Sequence, residues 1–279
     1  MSAPTLTTLE LGVEGPVAHL TLNRPDRLNA LNDTLLHELG EVLEHLRCTD
    51  LRVLVIKGAG RAFSAGYDVS SDSQEVGYAD ERSPVEDRDR QLANIELFEK
   101  IWRFPVPVIA QVHGYCMAGA TQLCVFADLT IVAEDAVIAA SPALPIGGGF
   151  ISPLWSPLVG PKRAKLMSYD AGHRISGRTA AEWGWATEAV PSQELDAHVR
   201  ALAVSIARTP RSILQLKKEA VNRVSDLQGL MTIARTGAET DALLHLTPEV
   251  RALQESIREH GLKGAIARFD HGVLDEVAV

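Results

Sequence analysis

Two short segments carry residue types that could do chemistry. The first is Arg61-Ala62-Phe63-Ser64-Ala65-Gly66-Tyr67-Asp68-Val69, which follows the apolar run Val53-Leu54-Val55-Ile56. The second is His113-Gly114-Tyr115-Cys116-Met117-Ala118-Gly119-Ala120-Thr121-Gln122, which follows the run Val106 to Val112 and opens a predicted helix. In each, a small residue stands where a strand hands over to the next element, and a glycine there lets a ligand approach the backbone closely. A helix starting at Gly119 points N–H groups that lack helical partners, and the positive end of its dipole, at such a ligand. Two donors converging on one oxygen form an oxyanion hole, which stabilises charge developing on a carbonyl, and one donor contributes about 2.7–4 kcal/mol. Glycine by itself marks a tight turn more often than a catalytic loop, so the residues alone leave both readings open.

Other chemistries find no frame in the chain. Gly58-Ala59-Gly60 is too short for a dinucleotide fingerprint, and Phe63-Ser64-Ala65-Gly66 lacks the G-x-S-x-G frame of a nucleophile elbow. The nine histidines show no H-E-x-x-H or other ligand spacing, so no metal is expected. Cys48, Cys116 and Cys124 are odd in number and at no metal spacing, which fits a reducing cytosol rather than a disulfide framework. Cys116 beside the second segment reads as a buried, inert thiol before it reads as a nucleophile. Trp155, Trp183 and Trp185 read as packing.

The elements that must position these segments show in the hydrophobic pattern. Val17 to Leu22 alternates like a half-buried strand and ends at the turn signal Asn23-Arg24-Pro25-Asp26. Leu35, Leu36, Leu39, Val42, Leu43 and Leu46 recur at helical spacing behind a cap at Asn32 or Asp33. Strands are predicted at 53–56, 106–112 and 129–133, and helices at 91–102 and 121–126. Residues 70–90 are polar and read as a long loop. Beyond Thr209-Pro210 three helices are predicted, at 211–223, 227–246 and 248–260. The recurring strand, strand, helix order implies α/β layering.

The chain has 279 residues, with 46% apolar and 23% charged, an ordinary globular composition able to bury a sizeable core. A net charge of −9 argues against a nucleic-acid or anionic-membrane partner, so an anionic ligand needs a local cluster of cations. The first residues lack a basic region followed by an apolar one, and no apolar run approaches the roughly 18 residues of a membrane helix. A cytoplasmic protein is expected.

Several motifs agree in order and spacing with one family. Asn23-Arg24-Pro25 followed by Leu28-Asn29-Ala30-Leu31, then RAFSAGYDV, then PVPVIAQVHGYCMAGATQL with ADLTIVAED, and then LVGPKRAKLMSYDAGHRISGRTAAEWGWATEAVP, together resemble the crotonase superfamily, that of enoyl-CoA hydratases and isomerases, across roughly residues 10–220. The resemblance implies a crotonase-like α/β fold, a spiral of ββα units over residues 1–208, with a C-terminal helical region over 209–279 that builds homotrimers or dimers of trimers. It places the oxyanion hole at the backbone N–H groups of Tyr67 and Gly119. It puts Arg27 near the coenzyme A phosphates and Ser64, Ala65, Asp68 and Val69 beside the adenine and pantetheine, and it counts Leu28 among the coenzyme A-binding residues. It also brings Lys263 or Phe269 within reach of coenzyme A. No separate cofactor is implied, because coenzyme A arrives as part of the thioester substrate.

The chain departs from this family where protons should move. Hydratases of the family use two carboxylates, and general acid–base catalysis contributes about 10²–10⁴-fold. The position three residues after Gly119 holds Gln122, which can hydrogen-bond but cannot take a proton at neutral pH. The second position falls near Pro142, and the stretch Leu144 to Phe150 supplies no acid. Asp68, Asp72, Glu75, Asp80 and Glu81 could supply a carboxylate from the loop, though charges there are mostly solvated. His113 reads as structural, and the Tyr67 ring as packing or specificity. Three functions follow: chemistry through a thioester enolate or tetrahedral oxyanion, as in hydration, decarboxylation or thioester hydrolysis of an acyl-CoA; binding of acyl-CoA without turnover; or a purely structural role in an assembly.

Overall fold

In a computed structural model, which describes residues 4–69, 83–140, 143–149 and 151–271, the apolar runs pair into two sheets. The chain opens with strands β1 (Leu9–Glu14) and β2 (Val17–Leu22), then helix α1 (Asp33–Arg47). Three strand pairs follow. They are β3 (Val53–Gly58) with β4 (Ala62–Ser64), β5 (Val108–Val112) with β6 (Tyr115–Met117), and β7 (Leu129–Ala133) with β8 (Val137–Ala139). Helix α2 (Pro84–Trp102) separates the first two pairs, and α3 (Gly119–Phe126) the last two. After them come α4 (Ser152–Val159), α5 (Pro161–Tyr169), β9 (Ile175–Ser176), α6 (Gly177–Trp183), β10 (Glu188–Val190) and α7 (Leu195–Ile206). The chain closes with α8 (Arg211–Leu227), α9 (Leu230–Leu244) and α10 (Pro248–Asp270).

The larger sheet runs β1-β2-β3-β5-β7-β10 and the smaller β4-β6-β8-β9. Each strand pair contributes one strand to each sheet, so every turn of the chain adds a rung to both. Pairing is parallel except between β1 and β2 and between β8 and β9. Strands β3 and β5 are buried almost throughout, as expected of a parallel sheet covered on both faces. The structure therefore has the spiral of ββα units that the motifs imply.

Local chemistry sets the element ends. Asn32 caps α1, its side chain accepting from Leu35 N at 3.0 Å. Helix α2 begins at Pro84 rather than Gln91. Ser83 and Glu86 form a reciprocal capping box and Pro84 takes the first turn, so seven residues read as loop are helix. Strand β5 starts at Val108 rather than Val106, because Pro105 and Pro107 have no N–H to give the ladder. Strands β4, β6 and β8 have three residues each, too few for a periodic signal. Among the C-terminal helices, α9 places Leu230, Ala234 and Ala238 in the main core, while α10 shares a smaller cluster with Leu144 and Ile146.

Two buried charged groups tie the layers together. The Glu38 carboxylate on α1 accepts from the backbone N–H and hydroxyl of both Thr7 and Thr8, at 2.6–2.9 Å. Lys218 on α8 reaches Asp128 at 2.6 Å and the carbonyls of Ile101 and Val106 at 3.1 and 3.3 Å. Burial pushes the Asp128 carboxyl up and the Lys218 ammonium down, each opposed by its partner's charge.

Lys218→Met is expected to cost about 3–5 kcal/mol in denaturant unfolding, because Asp128 is left buried without its cation. Glu38 generates a pH signature. Burial raises its pKa, but the four donors outweigh it and hold the carboxyl below 4.5. The folded state therefore binds the proton less tightly than the unfolded state, so the contribution is full above 4.5 and is lost as pH falls through the folded value. Glu38→Gln should cost about 1–3 kcal/mol at neutral pH, with the gap to the parent protein closing in acid, as read by urea titrations across pH.

Candidate active site

The turn after β2 is the mould for the first glycine loop. Leu28 and Asn29 take left-handed backbone angles, φ 51° and 54°. The buried Asn29 amide donates to the carbonyls of Ala59 and Ala62, both at 2.8 Å, and its oxygen accepts from Arg24 N at 2.9 Å. Arg24 crosses to Asp68 at 3.0 Å and donates to Ala30 O at 2.6 Å. Ser64 donates its hydroxyl to Asn29 O at 2.7 Å and accepts from Gly66 N at 3.2 Å. Leu31 and the loop form a parallel bridge through Leu31 N to Gly66 O and Asp68 N to Leu31 O.

The second loop meets the first with no space to spare. Gly66 lies at φ +89°, and a β-carbon built there would sit 2.6 Å from Met117 O and 3.1 Å from Gly119 N. A β-carbon on Gly119 would sit 2.5 Å from Cε2 of Tyr67. The peptide carrying the Tyr67 N–H therefore abuts the start of α3, and the Tyr67 ring lies across Gly119. Ala118, just before α3, is held at φ 47° and ψ −120°, an uncommon conformation for a residue with a side chain. Neither the Tyr67 N–H nor the Gly119 N–H has a hydrogen-bond partner among the described residues. Two donors without partners, side by side at a helix N-terminus, can hold a carbonyl oxygen that gains charge.

The Tyr67 hydroxyl donates to Gln122 Oε1 at 2.9 Å. Gln122 is fully buried and its Nε2 has no partner among the described residues. Burial drives the Tyr67 phenol far above its ordinary value, against the charge of Arg90 and the side chain of Asn94, so it remains a neutral donor.

A cavity of about 470 Å³ opens beside these loops. Leu28, Ala65, Tyr67 and Val69 line it from the first loop, and Tyr115, Met117 and Ala118 from the second. Residues 143–144 and 146–148 form another wall, and α10 adds Leu262, Lys263 and Ile266. A larger hollow of about 840 Å³, between α1 and α2, touches neither glycine loop.

Of the residues singled out in the sequence, Leu28, Ala65, Tyr67 and Val69 thus share one cavity, with Lys263 at its exposed side. Ser64 and Asp68 are buried and hold the loop from within. Arg27 is exposed on the turn after β2. His113 is structural, its Nε2 lying 2.9 Å from Gly60 O. Cys116 is buried 3.8 Å from the Cys124 sulfur, and burial pushes the Cys124 thiol up. Trp155 stacks on Trp185 at 5.0 Å, and Arg163 lies over Trp183. Pro142, Phe150, Asp72, Glu75, Asp80 and Glu81 lie outside the described residues. Among the described residues no cluster suits a metal ion, and no helix is long and apolar enough to cross a membrane.

The cavity also gathers ionisable groups that the sequence did not single out. Asp87 and Arg90 come from α2, Asp241 from α9, and His245 from the position that caps the C-terminus of α9. His245 Nδ1 lies 2.6 Å from Asp87 Oδ2. Asp241 Oδ1 accepts from Gly148 N at 3.0 Å and Gly149 N at 2.9 Å. Burial raises the Asp241 carboxyl to about 6, against His245 and the two amides. Burial lowers the His245 pKa, but the hydrogen bond to Asp87 and the charge of Asp241 outweigh it, so the ring titrates above 6.5. The capping box at Ser83 was the available signal, since it puts Asp87 and Arg90 one turn apart on a helix.

A two-sheet spiral of strand pairs, with two glycine loops crossing beside a cavity, is the crotonase-like class of fold. The comparisons agree, and the chain belongs to the enoyl-CoA hydratase/isomerase family, whose model matches residues 12–260. The hydroxycinnamoyl-CoA hydratase-lyase of Pseudomonas fluorescens is 30% identical over 224 residues, 79% of this chain and 80% of that protein. The 1,2-epoxyphenylacetyl-CoA isomerase of Escherichia coli is 32% identical over 218 residues, 75% of this chain and 80% of that protein. The crystal structure of an enoyl-CoA hydratase/isomerase from Xanthobacter autotrophicus superposes with a TM-score of 0.87 at 31% identity, covering 94% of this chain and 97% of that one.

Tyr67→Phe keeps the ring over Gly119 but strips Gln122 of its donor. It is expected to cost about 1–3 kcal/mol in urea unfolding, and adding Gln122→Leu should recover most of that loss by removing the orphaned amide.

Proposed function

We propose that this protein binds an acyl-CoA thioester and polarises its carbonyl between the N–H groups of Tyr67 and Gly119, for hydration or related enolate chemistry. The observation that carries this reading is the pair of unpartnered N–H groups at the Gly66–Gly119 crossing, beside an apolar cavity of about 470 Å³. Such donors lower the energy of an enolate or tetrahedral oxyanion more than that of the neutral thioester, which is what accelerates the step. Arg174 and Lys263, both exposed at the cavity, suit the phosphates of coenzyme A. The outer face of α8 leaves Leu216, Val221, Val224 and Leu227 exposed, and we assign it to contact with further copies of the chain, as a trimer or a pair of trimers.

A second reading, binding without turnover, rests on Gln122, whose buried amide cannot relay a proton. Both readings require the carbonyl to be held by the two donors. Infrared difference spectra of an acyl-CoA labelled with ¹³C at the thioester carbonyl test this directly. Binding should move the carbonyl stretch to lower frequency, and Gly119→Ala, whose β-carbon drives into the Tyr67 ring, should abolish both the shift and tight binding. An unshifted band in a saturated complex would sink the proposal.

A further inference from the structure

The loops that would hold the carbonyl leave open which group moves the proton. Gln122 is an amide, and Tyr67 is a neutral phenol committed to Gln122. Within the same cavity α2 and α9 place a different constellation. The ring of His245 is fixed through Nδ1 by Asp87 at 2.6 Å. Its other nitrogen lies 3.8 Å from where a β-carbon on Gly147 would stand, so it is turned toward the cavity wall that Gly147 forms. Asp241, one turn before His245 on α9, spends its Oδ1 on the N–H groups of Gly148 and Gly149 and so pins that wall beside the ring. An imidazole oriented by a carboxylate through one ring nitrogen, and itself part of a substrate cavity's wall, is an arrangement suited to general base catalysis.

We propose that His245, oriented by Asp87, is the residue that moves a proton at the α-carbon of the bound acyl thioester, a role that rests on the thioester reading above. The imidazole Nε2 takes the α-proton. The C–H electron pair becomes the enolate double bond, and the carbonyl π pair moves onto the oxygen between the N–H groups of Tyr67 and Gly119. Return of a proton from the imidazolium restores the thioester, so the exchange needs no other reactant. Asp87 is a positioning residue, which fixes the ring and favours the imidazolium once it forms. The groups facing His245 are Asp87 and Arg90 from α2 and Asp241 from its own helix. The two carboxylates hold the ring's titration above 6.5 and Arg90 opposes them.

Exchange of the α-protons of butyryl-CoA in deuterium oxide, followed by NMR, tests this. The parent protein should exchange them at a rate that rises with pH through a midpoint above 6.5, since the neutral ring is the base. His245→Gln should slow exchange by about 10²–10⁴-fold while leaving affinity and the carbonyl infrared shift unchanged. Asp87→Asn should move the midpoint to lower pH, which a merely structural link between α2 and α9 would not do. A parent protein that shifts the carbonyl band but exchanges no α-proton overturns the assignment, as does His245→Gln exchanging at the parent rate. If His245→Gln does not fold, an unmoved midpoint in Asp87→Asn overturns it equally. Absence of the carbonyl shift in the parent protein would instead remove the thioester reading, and this proposal with it.

Discussion

Two stretches of backbone meet at Gly66 and Gly119 at a distance that excludes any β-carbon. One would strike Met117 O and the other the ring of Tyr67. Much of the architecture serves this approach. The smaller sheet sets β4 and β6 side by side in parallel, so the loops that leave them emerge together. The turn after β2, with its left-handed Leu28 and Asn29, supplies the hydrogen bonds that keep the first loop from relaxing outward. Ala118 accepts an uncommon backbone conformation to bring α3 in at this angle, the kind of local strain that surrounding structure must over-determine.

The polar groups inside the fold follow one rule, which is that each buried charge is held by donors or an opposite charge. Glu38 has four donors, Asp128 has Lys218 and a backbone N–H, and Asp68 has Arg24. At the cavity the same rule yields something besides stability. Burial lifts the Asp241 carboxyl to about 6, and Asp87 and Asp241 together lift the His245 ring above its ordinary value against the cost of burial. Among the described residues a few buried polar atoms escape that rule, and one of them, Nε2 of Gln122, belongs to the side chain that accepts from the Tyr67 hydroxyl.

Reading the chain as sequence succeeded where a residue's type is itself the structural requirement. Glycine at 66 and 119 is written into the chain because nothing larger fits, and the leucines of α1 because one helical face must be apolar. It failed where structure is shorter than its own period, as in β4, β6 and β8, and where composition masked a local signal. The polar stretch 70–90 reads as loop on composition, yet Ser83, Pro84 and Glu86 start a helix there. That error concealed Asp87 and Arg90, since a charged residue in a loop is normally solvated.

The layering, the family and the glycines at the loop crossing follow from the sequence alone, because those depend on steric limits and periodicities that each segment carries by itself. The ionisable groups that share the cavity were decided only by tertiary structure. Asp87 and His245 are 158 positions apart. No local preference distinguishes them from surface residues on amphipathic helices, and only the packing of α9 against α2 brings them into contact and raises the titration of His245.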